Sequence, residues 1–156
     1  MIELPSYLIL PRNELYRIKP LWEKLNEIHL RDSVHFKDHY SSFTFEKRIM
    51  AWTSLPDERV WILVGEVNDE IVGYCVATST EDGKGEIDSL CVDEAWQNKG
   101  VGETLVRESL AWLESQNCSP IRLIVSYGHE SVMGFYEKLG FYPRATILEL
   151  KNPQDI

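Results

Sequence analysis

The sequence predicts a single α/β (α+β) domain, a mixed central sheet flanked by helices, and three observations carry that reading. First, two β-rich runs, "RVWILVGEV" and "IVGYCVATS", are separated only by "NDE", the mark of a hairpin. Second, the stretch after the closely spaced Gly100 and Gly102 puts Leu105, Val106, Ser109, Leu110 and Leu113 on one face at helical spacing. Third, "IRLIVSY" is a continuous apolar run of the kind found in strands buried on both faces. A hairpin followed by a helix and a buried strand builds one layered domain. A length of 156 residues suits a single core spanning residues 1–156.

In chain order, "SYLILP" reads as a short strand. "ELYRIKPLWEKLNEIHL" has helical spacing, with Pro20 as a kink or break. "RDSVHFKDHYSS" is polar and poorly periodic, and reads as a loop with at most a helical turn. Ser42 or Thr44 is placed to cap a helix through "FEKRIMAWTSL", which stops before Pro56. After the hairpin, "EDGKG" forms a turn and "EIDSLCV" another strand. The helix from about Gly100 to Gln116 comes next, then "NCSP" and the "IRLIVSY" strand. "HESVMGFYEKLG" reads as a short helix ending at Gly140, and "FYPRATILELK" as one or two closing strands. No repeat, linker or low-complexity segment interrupts the pattern.

Composition narrows the function. The 44% hydrophobic and 26% charged residues are ordinary for a globular chain. No apolar run is long enough to span a bilayer, and "MIELPSYLIL" lacks the basic start and cleavage site of a signal peptide. A cytoplasmic protein without a membrane partner is the expectation. Cys75, Cys91 and Cys118 have no paired spacing and read as free, mostly buried thiols. His35 and His39 have the i, i+4 spacing of metal ligands, but no further Cys or His cluster supports a metal. Their loop, with Tyr40 and Phe43, reads better as a wall of an acceptor site. The net charge is −9. Residues 1–59 are balanced, with nine basic and nine acidic side chains, whereas residues 60–156 hold seven basic and sixteen acidic. Nucleic acid is therefore excluded as a natural partner, and a cationic substrate is favoured.

The glycine pair raises the question of a ligand. A glycine-rich turn opening a helix presents amide N–H groups to an anion. In order, "EIDSLCV", "QNKGVG", a helix, "IRLIVSY" and "FYEKLGF" resemble the GNAT superfamily of acetyl-CoA-dependent N-acetyltransferases. That family carries Arg or Gln, two residues, Gly, one residue, then Gly or Ala; here those positions are Gln97, Gly100 and Gly102. The resemblance runs from about Arg59 to Lys151, which makes residues 59–151 the cofactor core. Residues 1–58 then form the acceptor part.

The resemblance implies that the amides of Gln97, Asn98, Lys99, Gly100, Val101, Gly102, Glu103 and Thr104 hold the pyrophosphate of acetyl-CoA. Bare backbone at the glycines and the helix dipole would favour it. It implies that backbone groups of Leu90, Cys91 and Val92 pair with the pantetheine arm, in a cleft left where this strand splays from the next. It also puts His129, where the family often has Asn, and Lys138 on the cofactor side. Glu103 is acidic where relatives often carry a small or basic residue. Many relatives pair through their last strands or helices, which raises a homodimer.

For the chemistry, Glu86 and Asp88 lie two apart on one strand, hence on one face and about 7 Å apart. The family often has a carboxylate at the Glu86 position as general base. Glu86 is the first choice and Asp88 the second, against the alternative that both sit at a wet strand end. Tyr136 occupies the place of the family's tyrosine beside the cofactor sulfur, where a phenol donates to the thiolate. Val132, Phe135, Tyr136 and Leu139 also share a helical face, so packing remains open. The implied function is acetyl transfer to a primary amine, with a small cationic one favoured. The alternatives are a protein N-terminal or lysine acetyltransferase and a non-catalytic acyl-CoA-binding module.

Overall fold

Val60–Val67 (β2) and Glu70–Ser79 (β3) pair antiparallel, joined by a turn in which Asn68 and Asp69 take φ of 50° and 65°. Positive φ at both central residues gives a turn whose twist matches that of the strands. This hairpin is the centre of a five-stranded sheet in a computed structural model that describes residues 3–152. Ser6–Ile9 (β1) pairs antiparallel with β2, and Gly85–Val92 (β4) antiparallel with β3. Ile121–Leu123 (β5) pairs parallel with β4, so the spatial order follows the chain order.

Both faces of the sheet are covered, and β3 shows why its sequence is apolar without a break. Tyr74 and Val76 face one core, formed with Leu15, Ile18, Trp22, Phe45 and Trp52. Cys75 and Ala77 face the other, formed with Val101, Leu105 and Leu113. The first core is supplied by Lys19–Asp32 (α1) and Phe45–Thr53 (α3), the second by Val101–Ser115 (α4). The expected inward stripe of α4 is buried at Leu105, Val106, Ser109 and Leu113, with Leu110 half-buried. Ser109 accepts from Trp61 Nε1 at 3.1 Å and donates to the Leu105 carbonyl, so its hydroxyl is satisfied in an apolar layer. Trp61 and Trp112 stack at 5.6 Å.

Several expectations change in detail. Pro20 opens α1 rather than kinking it: Arg12–Ile18 forms a 3₁₀ segment before it, and a proline lacking N–H fits a helix's first turn. The loop at 33–44 contains a short helix, Lys37–Ser42 (α2). Of the two caps, Thr44 is the one used, accepting from the Lys47 amide at 3.2 Å. The last helix is Met133–Lys138 (α5), entered through a 3₁₀ turn at Glu130–Val132.

Two strands are corrected. The expected buried strand over "IRLIVSY" reduces to β5, which is half-buried, with Arg122 exposed and Ile124 62% exposed. The expected closing strands over "FYPRATILELK" do not form, and Leu148 and Leu150 are 91% and 95% exposed. The reason is the same in both. β-Branched and aliphatic residues favour a strand only where a neighbouring strand or core receives them, and among the described residues β5 pairs with β4 alone.

The capping contact gives a direct stability test. Thr44→Ala removes the acceptor for the Lys47 amide and should lower stability by about 1 kcal/mol. Ser42→Ala, which touches no α3 amide, should change it far less. Urea unfolding midpoints for the two variants make the comparison.

Candidate active site

The site begins with an irregularity in β4. Val76 pairs with Ser89, but Ala77 pairs with Ile87, so Asp88 is the extra residue of a β-bulge. The bulge keeps Glu86 and Asp88 on one face and adds Ser89 to it. Glu86 is opposite Thr78, Asp88 accepts from Thr78, and Ser89 meets Tyr74, all on the face of α1 and α3.

The two carboxylates have different surroundings. Asp88 is tightly held: Thr78 Oγ1 donates to Oδ1 at 2.8 Å and Trp52 Nε1 to Oδ2 at 3.0 Å. Arg48 Nη2 donates to the Asp88 carbonyl at 2.7 Å while its guanidinium lies 4.7 Å from the Trp52 ring centre. Glu86 is more open; Arg122, its neighbour on β5, lies 3.6 Å away. Burial, followed by the charge of Asp88, raises the Glu86 pKa above the usual carboxylate value, and Arg122 opposes this. Burial likewise raises that of Asp88, against the donors Thr78 and Trp52.

Next to the bulge the sheet opens. β4 and β5 pair only from Gly85↔Ile121 to Ile87↔Leu123, and beyond that β4 continues without a partner on that side among the described residues. The Asp93 amide donates to Val72 at 2.8 Å, which fixes the direction of the peptide groups before it. Alternation then turns those of Leu90 and Val92 toward the gap and that of Cys91 toward Tyr74 on β3. The Cys91 backbone is committed to the ladder with Tyr74. Its thiol lies against the Leu21 carbonyl of α1 at 3.4 Å, and burial pushes its pKa up to about 12. Gln97 Nε2 donates to the Val92 carbonyl at 3.1 Å, tying the glycine turn to this edge.

That turn has the form expected of an anion cradle. Asn98 and Gly100 take φ of 62° and 84°, and Gly100 is the N-cap of α4. The amides of Asn98 through Glu103 donate to no backbone carbonyl; that of Thr104 bonds to Gly100. A β-carbon on Gly100 would meet nothing within 4 Å, whereas one on Gly102 would meet Phe135 at 3.3 Å. Bare backbone therefore leaves open space at Gly100 and seats α5 at Gly102. Glu103 is drawn aside by Arg107 at 2.8 Å, and Lys99 lies over Trp96 at 5.2 Å.

Tyr136 sits on α5 beside Phe135 and Phe141, with ring centres 5.1 and 6.1 Å away. Burial raises its phenol pKa well above the ordinary value, with the Cys75 thiol, on the α4 face of the sheet, the next contributor. Tyr136 and the carboxylates thus approach β4 from opposite faces. Lys138, in the last turn of α5, is exposed.

His129 lies in the loop after β5, against α1. Its ring faces α1, 5.3 Å from the ring of His29, with Nδ1 3.7 Å from Asp32 Oδ2 and no hydrogen bond. The same loop is held there by Tyr40, which donates to Ser126 at 2.8 Å. Gly128 packs so closely that a β-carbon would stand 2.1 Å from the Asp32 carbonyl. The loop after β5 is thereby fastened to α1 and α2. His35 and His39 take separate neighbours, Tyr127 and Phe43, and line an open cavity of about 470 Å³ between residues 34–42 and 149–152. Phe43 packs inward on Trp22 at 5.8 Å. Among the described residues no cluster of three or more His, Cys, Asp or Glu side chains is arranged for a metal ion.

Sequence reasoning missed Thr78, Arg48, Trp52 and Arg122. Thr78 was within reach, because a turn over "EDGKG" pairs it with Glu86. Arg48 and Trp52 share an α3 face at i, i+4 spacing, but nothing in their spacing says that this face meets Asp88.

The splayed strands, the open amides at a helix start and the carboxylate strand define an acyltransferase architecture. A model of the acetyltransferase (GNAT) family matches residues 22–141, and the chain belongs to that family. It is 34% identical over 73 residues to a mycothiol acetyltransferase of Corynebacterium efficiens, covering 47% of this chain and 25% of that one. It is 28% identical over 106 residues to N-alpha-acetyltransferase 30 of Xenopus laevis, covering 65% and 37%. The chain thus spans between a quarter and two fifths of these relatives' lengths. Among solved structures, an aminoglycoside acetyltransferase from an uncultured soil metagenomic sample, in complex with sisomicin, has a TM-score of 0.70 at 15% identity, covering 96% and 95%. A Trypanosoma brucei acetyltransferase has a TM-score of 0.66 at 20% identity, covering 95% and 99%. At such identities these structures establish the fold. No helix among the described residues is long and apolar enough to cross a membrane.

The histidine contact has a pH consequence. Burial, then the proximity of His129, lowers the His29 pKa from 6.5 to about 4. Between those values the unfolded chain takes up a proton that the folded one refuses, so stability falls as pH drops through that window. His29→Gln should flatten this decline. Urea midpoints measured at several pH values would show it; parallel declines in both proteins would place the acid sensitivity elsewhere.

Proposed function

We propose that this chain transfers the acetyl group of acetyl-CoA to a primary amine, with small cationic amines as the acceptor class. The observation that carries this is the parting of β4 from β5 beside the open amides of Asn98 through Glu103. Such amides at a helix start suit a pyrophosphate, and the outward peptide groups of Leu90 and Val92 suit the amides of an extended arm. The residues present therefore fit the donor. When bound, acetyl-CoA supplies an activated acyl thioester.

The protein's own groups do the rest. Glu86, partly solvated and raised in pKa by burial and by Asp88, accepts a proton from the ammonium form of the acceptor and passes it to water. An outward N–H of Leu90 or Val92 polarises the acyl oxygen. Tyr136, kept protonated by burial, donates to the departing sulfur. The excess of acidic side chains in residues 60–156 attracts a cationic acceptor to this half. Protein N-terminal amines are the second reading, supported by the match to N-alpha-acetyltransferase 30.

Thiol release from acetyl-CoA, assayed against polyamines, aminoglycosides and short peptides, separates the acceptors. Coenzyme A binding without release on any of them would indicate a binding module instead. Glu86→Gln should lower turnover about 10²–10⁴-fold near neutral pH and least at high pH, where the amine is already deprotonated. Tyr136→Phe should reduce turnover and leave coenzyme A affinity nearly intact. Gly100→Val, whose side chain meets open space but whose φ of 84° strains the turn, should weaken coenzyme A binding by calorimetry; unchanged affinity in a folded variant would remove the phosphate cradle from the reading.

A further inference from the structure

Asp88 has more contacts than a general base can use. Both of its oxygens accept hydrogen bonds, from Thr78 and Trp52, and its carbonyl accepts from Arg48. Those partners come from two separate elements, β3 and α3, and converge on the one residue of β4 that lies outside the ladder. A carboxylate fixed in this way has little freedom to swing toward a substrate nitrogen. It does have Glu86 on the same face, and Thr78, which donates to Asp88, is the residue paired opposite Glu86.

We propose that Asp88 is the positioning partner of Glu86: a fixed anion, locked into the β4 bulge by Thr78 and Trp52, that keeps Glu86 ready to take the amine's proton. This rests on the reading of Glu86 as the base. The surroundings of the pair agree with it. Thr78 and Trp52 donate to Asp88 and favour its ionised form, and the charge of Asp88 adds to burial in raising the Glu86 pKa. The charged groups facing the pair are Arg48 from α3 and Arg122 from β5, and both pull the other way; the Cys75 thiol lies on the far side of the sheet. The anion at Asp88 thus offsets two guanidinium groups that would otherwise make Glu86 a weaker base.

Asp88→Asn tests this with little loss of fit, since the amide oxygen still accepts from Trp52 while its NH₂ donates to Thr78 Oγ1. The direct readout is the side-chain carboxyl ¹³C titration of Glu86 in the ligand-free protein, assigned by its disappearance in Glu86→Gln. Asp88→Asn should lower the Glu86 midpoint by about one pH unit, the scale of a nearby like charge. Thr78→Val, which removes one donor, should shift it in the same direction, and Thr78→Ser should restore it. The acid limb of kcat/KM should move with the midpoint. An unchanged Glu86 midpoint in folded Asp88→Asn and Thr78→Val overturns the proposal while leaving Glu86 as base. If Glu86→Gln keeps the acid limb and Asp88→Asn abolishes turnover at every pH, Asp88 is itself the base, and both readings fall. Should Asp88→Asn not fold, the Thr78 pair decides alone.

Discussion

The site depends on the place where two parallel strands stop pairing. β4 and β5 share a ladder only as far as Ile87 and Leu123, and the next residue of β4 is the bulged Asp88. A bulge bends its strand and increases the local twist, so the continuation of β4 leaves the direction of β5. The peptide groups of Leu90 and Val92 then face a gap instead of a neighbour. Unpaired backbone groups are costly when they are dry, so such a gap persists only when water or a ligand can fill it. Gln97 satisfies one of them, the Val92 carbonyl, from the same turn that opens α4. Strand edge and helix start are in this way held as one concave unit.

The bulge itself is secured from outside the sheet. Arg48 and Trp52 reach it from α3, whose position is fixed by the Thr44 cap and by Phe45 and Trp52 in the core. α3 therefore does more than cover the sheet: it holds the irregular residue of β4. A second tie links the halves through the loop after β5, with Tyr40 on Ser126 and Gly128 on the Asp32 carbonyl. The N-terminal third, which carries the weakest sequence resemblance, is mechanically tied to β4 and to the loop after β5.

Much of this was legible in the sequence. Strong periodicity found β2, β3 and α4, and the spacing of Gln97, Gly100 and Gly102 found the turn. The period-two argument put Glu86 and Asp88 on one face, and they are on one face; but it assumed a regular strand, and so missed that Ser89 joins them. Direction along a strand edge was not legible: adjacent peptide groups point opposite ways, and only the register says that those of Cys91 face β3. His129 was read from its position in a motif, and its contact with His29 on α1, a partner distant in sequence, was not legible there. The strand expected over "IRLIVSY" failed for a related reason, since apolar composition states a preference and not the presence of a neighbour.

The bare tail after α5 affects how molecules of this protein meet one another. Ile147, Leu148 and Leu150 stand 73–95% exposed in a stretch without strand partners, and the outer edge of β5 is unpaired among the described residues. Open edges and free β-prone segments are mutually adhesive, while a net charge of −9 keeps like molecules apart. The two effects differ in range and in their response to ions: repulsion fades within a Debye length of about 10 Å at 0.1 M salt, and strand adhesion acts at contact. Colloidal behaviour is thereby tied to ionic strength, with dilute buffer favouring dispersion and concentrated salt favouring contact between tails and edges.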